Sequence, residues 1–204
     1  MICFRYSGGI MRFCDKDIIQ HLKSGKIYIS PSPKIEKISG VTVDFHLGNE
    51  VRVFQKNNSS PCIDLGELQQ RKDGSYLDEM ISKRILLEDH EKILLRPTEL
   101  IIAITFESLS LTNDIVGWID GKSSFARFGL MVHVTSNRID PGWNGKIVLE
   151  IINLGKFPLF LRPKMVICAI SFEKISGSSL RPYSSKKGAK YRNQFRPSIF
   201  SCLS

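Results

Sequence analysis

The chain has 204 residues, with 29 Lys or Arg against 20 Asp or Glu, and 42% of its residues are hydrophobic. That composition supports one large domain or two small ones with a sizeable core and an ordinary soluble-protein charge density. No apolar run approaches the roughly 18 residues of a membrane span, and the first residues do not read as a secretory signal.

Residues 1–10 form no recognisable element and read as an N-terminal extension, with Met11 an alternative start. "CDKDIIQHLKSGK" (14–26) predicts a helix with Asp15 as N-cap, an Ile18, Ile19, Leu22 stripe and a stop at Gly25. "PSPK" then breaks the chain. "GVTVDFHLGNEVRVF" (40–54) alternates as a strand does, with Val41, Val43, Phe45 and Leu47 on one face. Residues 55–75 read as a loop or excursion, and "SYLDEMISKRI" (75–85) as one or two helical turns. From Leu86 onward, short apolar or alternating runs follow, separated by turn residues: "KILLRP", "ELIIAITFESLSL", "DIVGWIDG", "LMVHVTS", "KIVLEIIN", "FPLFLRP" and "VICAISFEKIS". This spacing predicts a mainly β sandwich or barrel over 11–180 rather than alternating β-α units. Residues 181–204 read as a basic tail or lid.

Five cysteines at 3, 14, 62, 168 and 202 form no CxxC pair, which suits free thiols in a reducing cytoplasm. Histidines 21, 46, 90 and 133 are equally dispersed, so no zinc site is expected at the usual spacing. The net charge of +9 fits a nucleic acid, a membrane surface or a small polyanion as partner. Six of the cations lie between Arg181 and Arg196, a stretch without an acid.

Three stretches carry candidate chemistry. In "GKSSFARFG" (121–129), Lys122, Ser123, Ser124 and Arg127 surround Phe125 and Ala126 with no acid among them. Hydroxyls, glycine-flanked N–H groups and cations suit a phosphate or a polarised water, although a polar turn between strands has the same composition. The spacing is not that of a Walker loop. In "IDPGWNGKIVLEIIN" (139–153), strong turn formers precede a strand on which Glu150 shares a face with Lys146, Val148 and Ile152. A carboxylate inside "IVLEII" is either at a solvated edge or shielded, with a raised proton affinity suited to acid–base work. "RPYSSKKGAKYRNQF" (181–195) reads as a lid over a phosphate chain or as a disordered basic tail. His133 in "LMVHVTS" reads as structural, and Trp118 and Trp143 as core or interface aromatics.

"MRFCDKDI", "GVTVDFHLG", the long run from Asp114 to Leu159, and "RPYSSKKGAKYRNQ" occur in an order that closely resembles the bacterial dCTP deaminase family of the dUTPase-like superfamily. The resemblance runs from Met11 to Gln194. It implies a distorted jelly roll or β-barrel with a short N-terminal helix, and a homotrimer with active sites between chains. The implied reaction is hydrolytic deamination of dCTP to dUTP and ammonia, supplying dUMP for dTTP synthesis, without zinc. Mg2+ would arrive with the triphosphate, and dTTP is implied as a feedback inhibitor. By position, Glu150 matches the acid/base, Ser123 and Arg127 the water-holding pair, and Lys122, Ser123 and Ser124 a phosphate-contacting stretch that continues through Phe125 and Ala126. Arg138 is a further phosphate candidate. Asp140 matches a residue near the deoxyribose, Val148 and Leu149 the backbone that reads the pyrimidine edge, and Tyr183, Lys190 and Gln194 the closing tail. Lys122 stands where many members have Arg, which turns a bidentate fork into a point charge. Ser136 stands where some carry Ala.

Two other functions fit parts of the sequence. Asp140 is placed as a dUTPase's water-activating aspartate would be, so a dUTPase or a bifunctional deaminase–pyrophosphatase is one alternative. Against it, the tail has only Gly188 between Tyr183 and Gln194 rather than a glycine-rich phosphate-covering motif. A nucleic-acid-binding β-barrel without enzymatic activity is the other, but it would want a row of stacking aromatics on a strand face. The tail offers only Tyr183, Tyr191 and Phe195, so neither a nucleic acid nor a membrane is the expected partner.

Overall fold

A computed structural model describes residues 11–55, 62–70, 80–187, 189, 191 and 193–199. The extension 1–10 and Lys190 lie outside the described residues.

In chain order the elements are β1 (Met11–Arg12), α1 (Asp15–Lys23), β2 (Ile27–Ser30), β3 (Ile38–Ser39), β4 (Thr42–Phe54), α2 (Leu65–Gln70), β5 (Ser82–Leu86), β6 (Ile93–Leu95), β7 (Leu100–Leu111), β8 (Ile115–Gly121), α3 (Ser123–Ala126), β9 (Leu130–Met131), β10 (Arg138–Ile139), β11 (Asn144–Asn153), β12 (Leu159–Leu161) and β13 (Val166–Lys174). The molecule is mainly β, as the apolar spacing requires.

The main sheet runs β10-β8-β13-β4-β7-β11-β9, with β1 on β13, β2 on β7, and β3 and β5 on β4. The 13-residue β4 makes this one curled surface. Its first half pairs with β13 and its second with β5 and β7, and its register with β7 shifts between Leu47 and Val51. Such irregularities bend and twist a strand. Val43, Phe45 and Leu47 are fully buried, whereas Val41, placed on the same face by alternation, precedes the strand and is exposed. The core inside the curl is aliphatic, with Ile101, Leu109, Leu149, Ile151 and Phe172 almost wholly removed from water. Each such side chain contributes on the order of 1.5–3 kcal/mol.

Four expectations need correction. The N-cap of α1 is Cys14, not Asp15: the Asp17 carboxylate accepts from the Cys14 backbone N–H at 3.1 Å and from its thiol at 3.2 Å. The stretch read as an excursion holds α2, because Asp64 Oδ1 accepts from the backbone N–H groups of Gly66 (2.7 Å) and Glu67 (3.0 Å) and starts a helical turn. In the stretch read as helical turns, Met80 and Ile81 are helical, but Ser82 to Ile85 belong to β5 on the edge of β4. Of "LMVHVTS", only Leu130 and Met131 join the ladder of β11.

Candidate active site

Strict alternation fixes which way β11 presents its side chains. Ile147, Leu149 and Ile151 face the core, and Val148, Glu150 and Ile152 the other side, half-buried. The register with β7 slips between Lys146 and Val148. There the Ile147 N–H donates to the Thr105 hydroxyl (2.9 Å), which in turn donates to the Glu107 carbonyl (2.7 Å). The bulge bends the strand just before Val148 and Glu150.

Those two residues open into a cavity of about 590 Å3, a volume in the range of small-ligand sites. Its walls include Glu150, Val148, Ile102 and Leu100 from β11 and β7, Arg138 from β10, and Ser136 and Asp140 on either side of β10. Trp143, Tyr183, Tyr191, Gln194, Ser198 and Ile199 complete the far side. Glu150 Oε2 accepts from the Val134 N–H at 3.4 Å. Burial pushes the Glu150 carboxyl above its ordinary value, and the Val134 and own-backbone N–H groups and the nearby His133 pull it only partly back. Glu150 is half-buried: β7 pairs along one side of β11, and the carboxyl lines the cavity.

The basic tail folds back onto its own chain. The Tyr183 N–H donates to the Pro141 carbonyl at 2.8 Å, and its ring lies 5.1 Å from that of Trp143. Gln194 bridges Gly145, and its carbonyl accepts from the Lys146 N–H at 2.8 Å. Glycine is required at 145: its φ is +136°, and a Cβ there would stand 2.8 Å from the Gln194 carbonyl oxygen. The buried Gln194 Nε2 has no partner among the described residues and lies in the cavity wall.

The structure therefore brings Arg138, Asp140, Val148, Glu150, Tyr183 and Gln194 together. Leu149 points into the core, so only its backbone can face the cavity. None of Lys122, Ser123, Ser124, Phe125, Ala126 or Arg127 lines the cavity of its own chain. They form α3 and its ends beyond β8, with both serines and Arg127 exposed. Lys122 donates 2.7 Å to Asp44, and Arg138 Nε donates 2.7 Å to Asp140. Each of these cations is held by a carboxylate of its own chain. Trp143, read as a packing aromatic, is also a wall of the site; Tyr191, Ser198 and Ile199 lie in the stretch read as a lid without being singled out, and Phe54 was not legible as a site residue. The turn formers around Trp143 were the one available signal, because they fold the ring back beside the strand.

A family model described as dCTP deaminase-like matches residues 13–175. The chain belongs to the dCTP deaminase-like family. Similar members include the dCTP deaminase of Tolumonas auensis, 53% identical over 184 residues that cover 90% of this chain and 94% of that protein. The dCTP deaminase of Aeromonas hydrophila is 54% identical over 185 residues, with the same coverage. Among solved structures, the 2'-deoxycytidine 5'-triphosphate deaminase from Agrobacterium tumefaciens superimposes with a TM-score of 0.60 at 19% identity over 81% of this chain. This chain spans about half of that longer one, 49%, and the likeness concerns the fold. The family's curled sheet is the architecture that places Glu150 in the cavity.

Proposed function

We propose that this protein deaminates dCTP to dUTP and ammonia, with Glu150 as the general acid and base. One observation carries the assignment of the base: Glu150 is the carboxylate with raised proton affinity facing the cavity, flanked by backbone that can read a planar ring. Glu150 takes a proton from a water, and the resulting hydroxide attacks C4 of the cytosine. Glu150 delivers that proton to N3. It then moves the hydroxyl proton of the tetrahedral intermediate to the exocyclic amine, which leaves as ammonia while C4 becomes a carbonyl. The reading sets Asp140 beside the sugar and Arg138 toward the phosphates; both line the cavity, as do the packed rings of Trp143 and Tyr183.

The same reading assigns Ser123 and Arg127 to the water and the developing charge, and Lys122 and Ser124 to phosphate. Because α3 lies outside its own chain's cavity, these groups are supplied by a neighbouring copy in a homotrimer. Magnesium enters bound to the triphosphate. Among the described residues no group of three or more His, Cys, Asp or Glu side chains stands ready to hold a metal. Feedback by dTTP, which shares the sugar and triphosphate, and a cytoplasmic setting complete the proposal. No described helix is long and apolar enough to cross a membrane.

Glu150→Gln tests the assignment. Ammonia release from dCTP should fall on the order of 100-fold or more while calorimetric dCTP binding persists. Unchanged turnover would remove Glu150 as the base. In the unaltered protein dUTP should accumulate without pyrophosphate; pyrophosphate equimolar with ammonia would make the enzyme bifunctional.

A further inference from the structure

β4 carries an arginine inside an apolar run, "EVRVF", that the reaction above does not use. Arg52 is 8% exposed. Its Nε donates to the Pro197 carbonyl at 2.8 Å, and one terminal nitrogen donates to the buried Ser82 hydroxyl at 3.2 Å. A guanidinium is retained in such a place only when its donors are used. In the ladder Arg52 pairs with Ile102 of β7, and Ile102 pairs with Glu150 of β11. Cross-strand partners point to the same side of a sheet. Arg52, Ile102 and Glu150 therefore form one row, with Arg52 two strands, roughly 10 Å, from Glu150.

Phe54, next on that face of β4, lines the cavity, as do Ser198 and Ile199 of the segment that Arg52 holds. A second tie binds this segment: the Tyr191 hydroxyl donates to the Ile199 carbonyl at 3.3 Å. Residues 195–199 lie beyond the stretch matched by the family model and beyond the sequence resemblance, which ends at Gln194. Of them, Ser198 and Ile199 line the cavity together with Phe54 of β4.

We propose that Arg52 is a positioning residue for the nucleotide: by gripping the Pro197 carbonyl it latches residues 195–199 in place as a wall of the substrate pocket. The inference rests on the deaminase reading and deepens it. A wall that touches bound substrate and transition state alike changes KM and leaves kcat nearly alone. The grip is on a backbone carbonyl, so it fixes the path of the segment whatever its side chains.

The test compares Arg52→Met and Tyr191→Phe with the unaltered full-length protein, in dCTP kinetics followed by ammonia release and in amide hydrogen exchange of the peptide containing 195–199. Loss of a charge-assisted hydrogen bond should raise KM about tenfold with kcat little changed, and should speed exchange in that peptide but not in β11. Tyr191→Phe should move both in the same direction by less. Unchanged KM and exchange in Arg52→Met, or a fall in kcat alone, overturns the latch. If Arg52→Met does not fold, Tyr191→Phe decides by the same two readouts. If the unaltered protein releases no ammonia, the deaminase reading fails, and hydrogen exchange decides the latch by itself.

Discussion

Glu150 stands on a strand whose inward neighbours, Leu149 and Ile151, are wholly buried, and burial raises its own proton affinity. The same shift bears on stability. Between the ordinary carboxylate value and the raised one, the folded state binds more proton than the unfolded chain, so this group makes stability fall as pH rises through that window. Above the raised value the whole penalty of the buried charge is present; below the ordinary value it is gone. Glu150→Gln is therefore expected to unfold at a higher temperature than the unaltered protein at neutral pH. The difference should shrink as pH drops through the carboxylate range, as thermal scans at several pH values would show. A variant less stable at neutral pH would mean that the carboxylate is better satisfied than its backbone N–H partners indicate. Alternation alone put Glu150 on the face opposite Ile147, Leu149 and Ile151, but whether that face met water was not legible. It depends on how β7, the 136–143 turn and the tail close around it, all remote in sequence.

At the level of elements, strands were legible where a side-chain period of two coincided with an apolar run, as in β4, β7, β11 and β13. They were illegible where something other than packing decides. After Met131 the chain leaves the ladder although "VHV" has strand character, and the Val134 N–H turns to the Glu150 carboxylate instead. The short α3 is placed by backbone contact that no hydrophobic pattern encodes. The Leu154 N–H donates to the Gly129 carbonyl at 2.8 Å, and a Cβ on Gly155 would stand 2.0 Å from the Phe128 carbonyl oxygen. Only two glycines let the end of α3 sit against the turn after β11. Gly155→Ala must push Phe128 and Gly129 away, and Ser123 and Arg127 move with them. We expect a loss of about 1–3 kcal/mol in stability from overpacking, and a kcat reduced more than KM. Calorimetric melting and steady-state kinetics check both, and a variant with native kcat would show that α3 is positioned by other contacts.

For the whole molecule, a cavity with its proposed acid but without the proposed water-holding groups is half a site. Glu150 faces the cavity, while Ser123 and Arg127 are exposed on α3 and do not line it. In the homotrimer proposed above, each copy would offer its α3 to the next and receive one in turn. Composition and charge hinted at none of it. The net charge of +9 suggested a polyanion and the tail a lid, but a pattern read along one chain cannot show whether the glycine-flanked residues serve their own copy or another. Complementation can. Chains carrying Glu150→Gln and chains carrying Ser123→Ala should each be nearly inactive alone. Unfolded together and reassembled, or co-expressed, they should recover about a quarter of the unaltered rate if partners in a symmetric oligomer are drawn at random. A quarter of the sites then pair an intact Glu150 from one chain with an intact Ser123 from its neighbour. If each site were completed within a single chain, the mixture would stay as inactive as its components, because every chain would carry one broken half. Recovery of ammonia release on mixing, scored against each variant reassembled alone, separates the two.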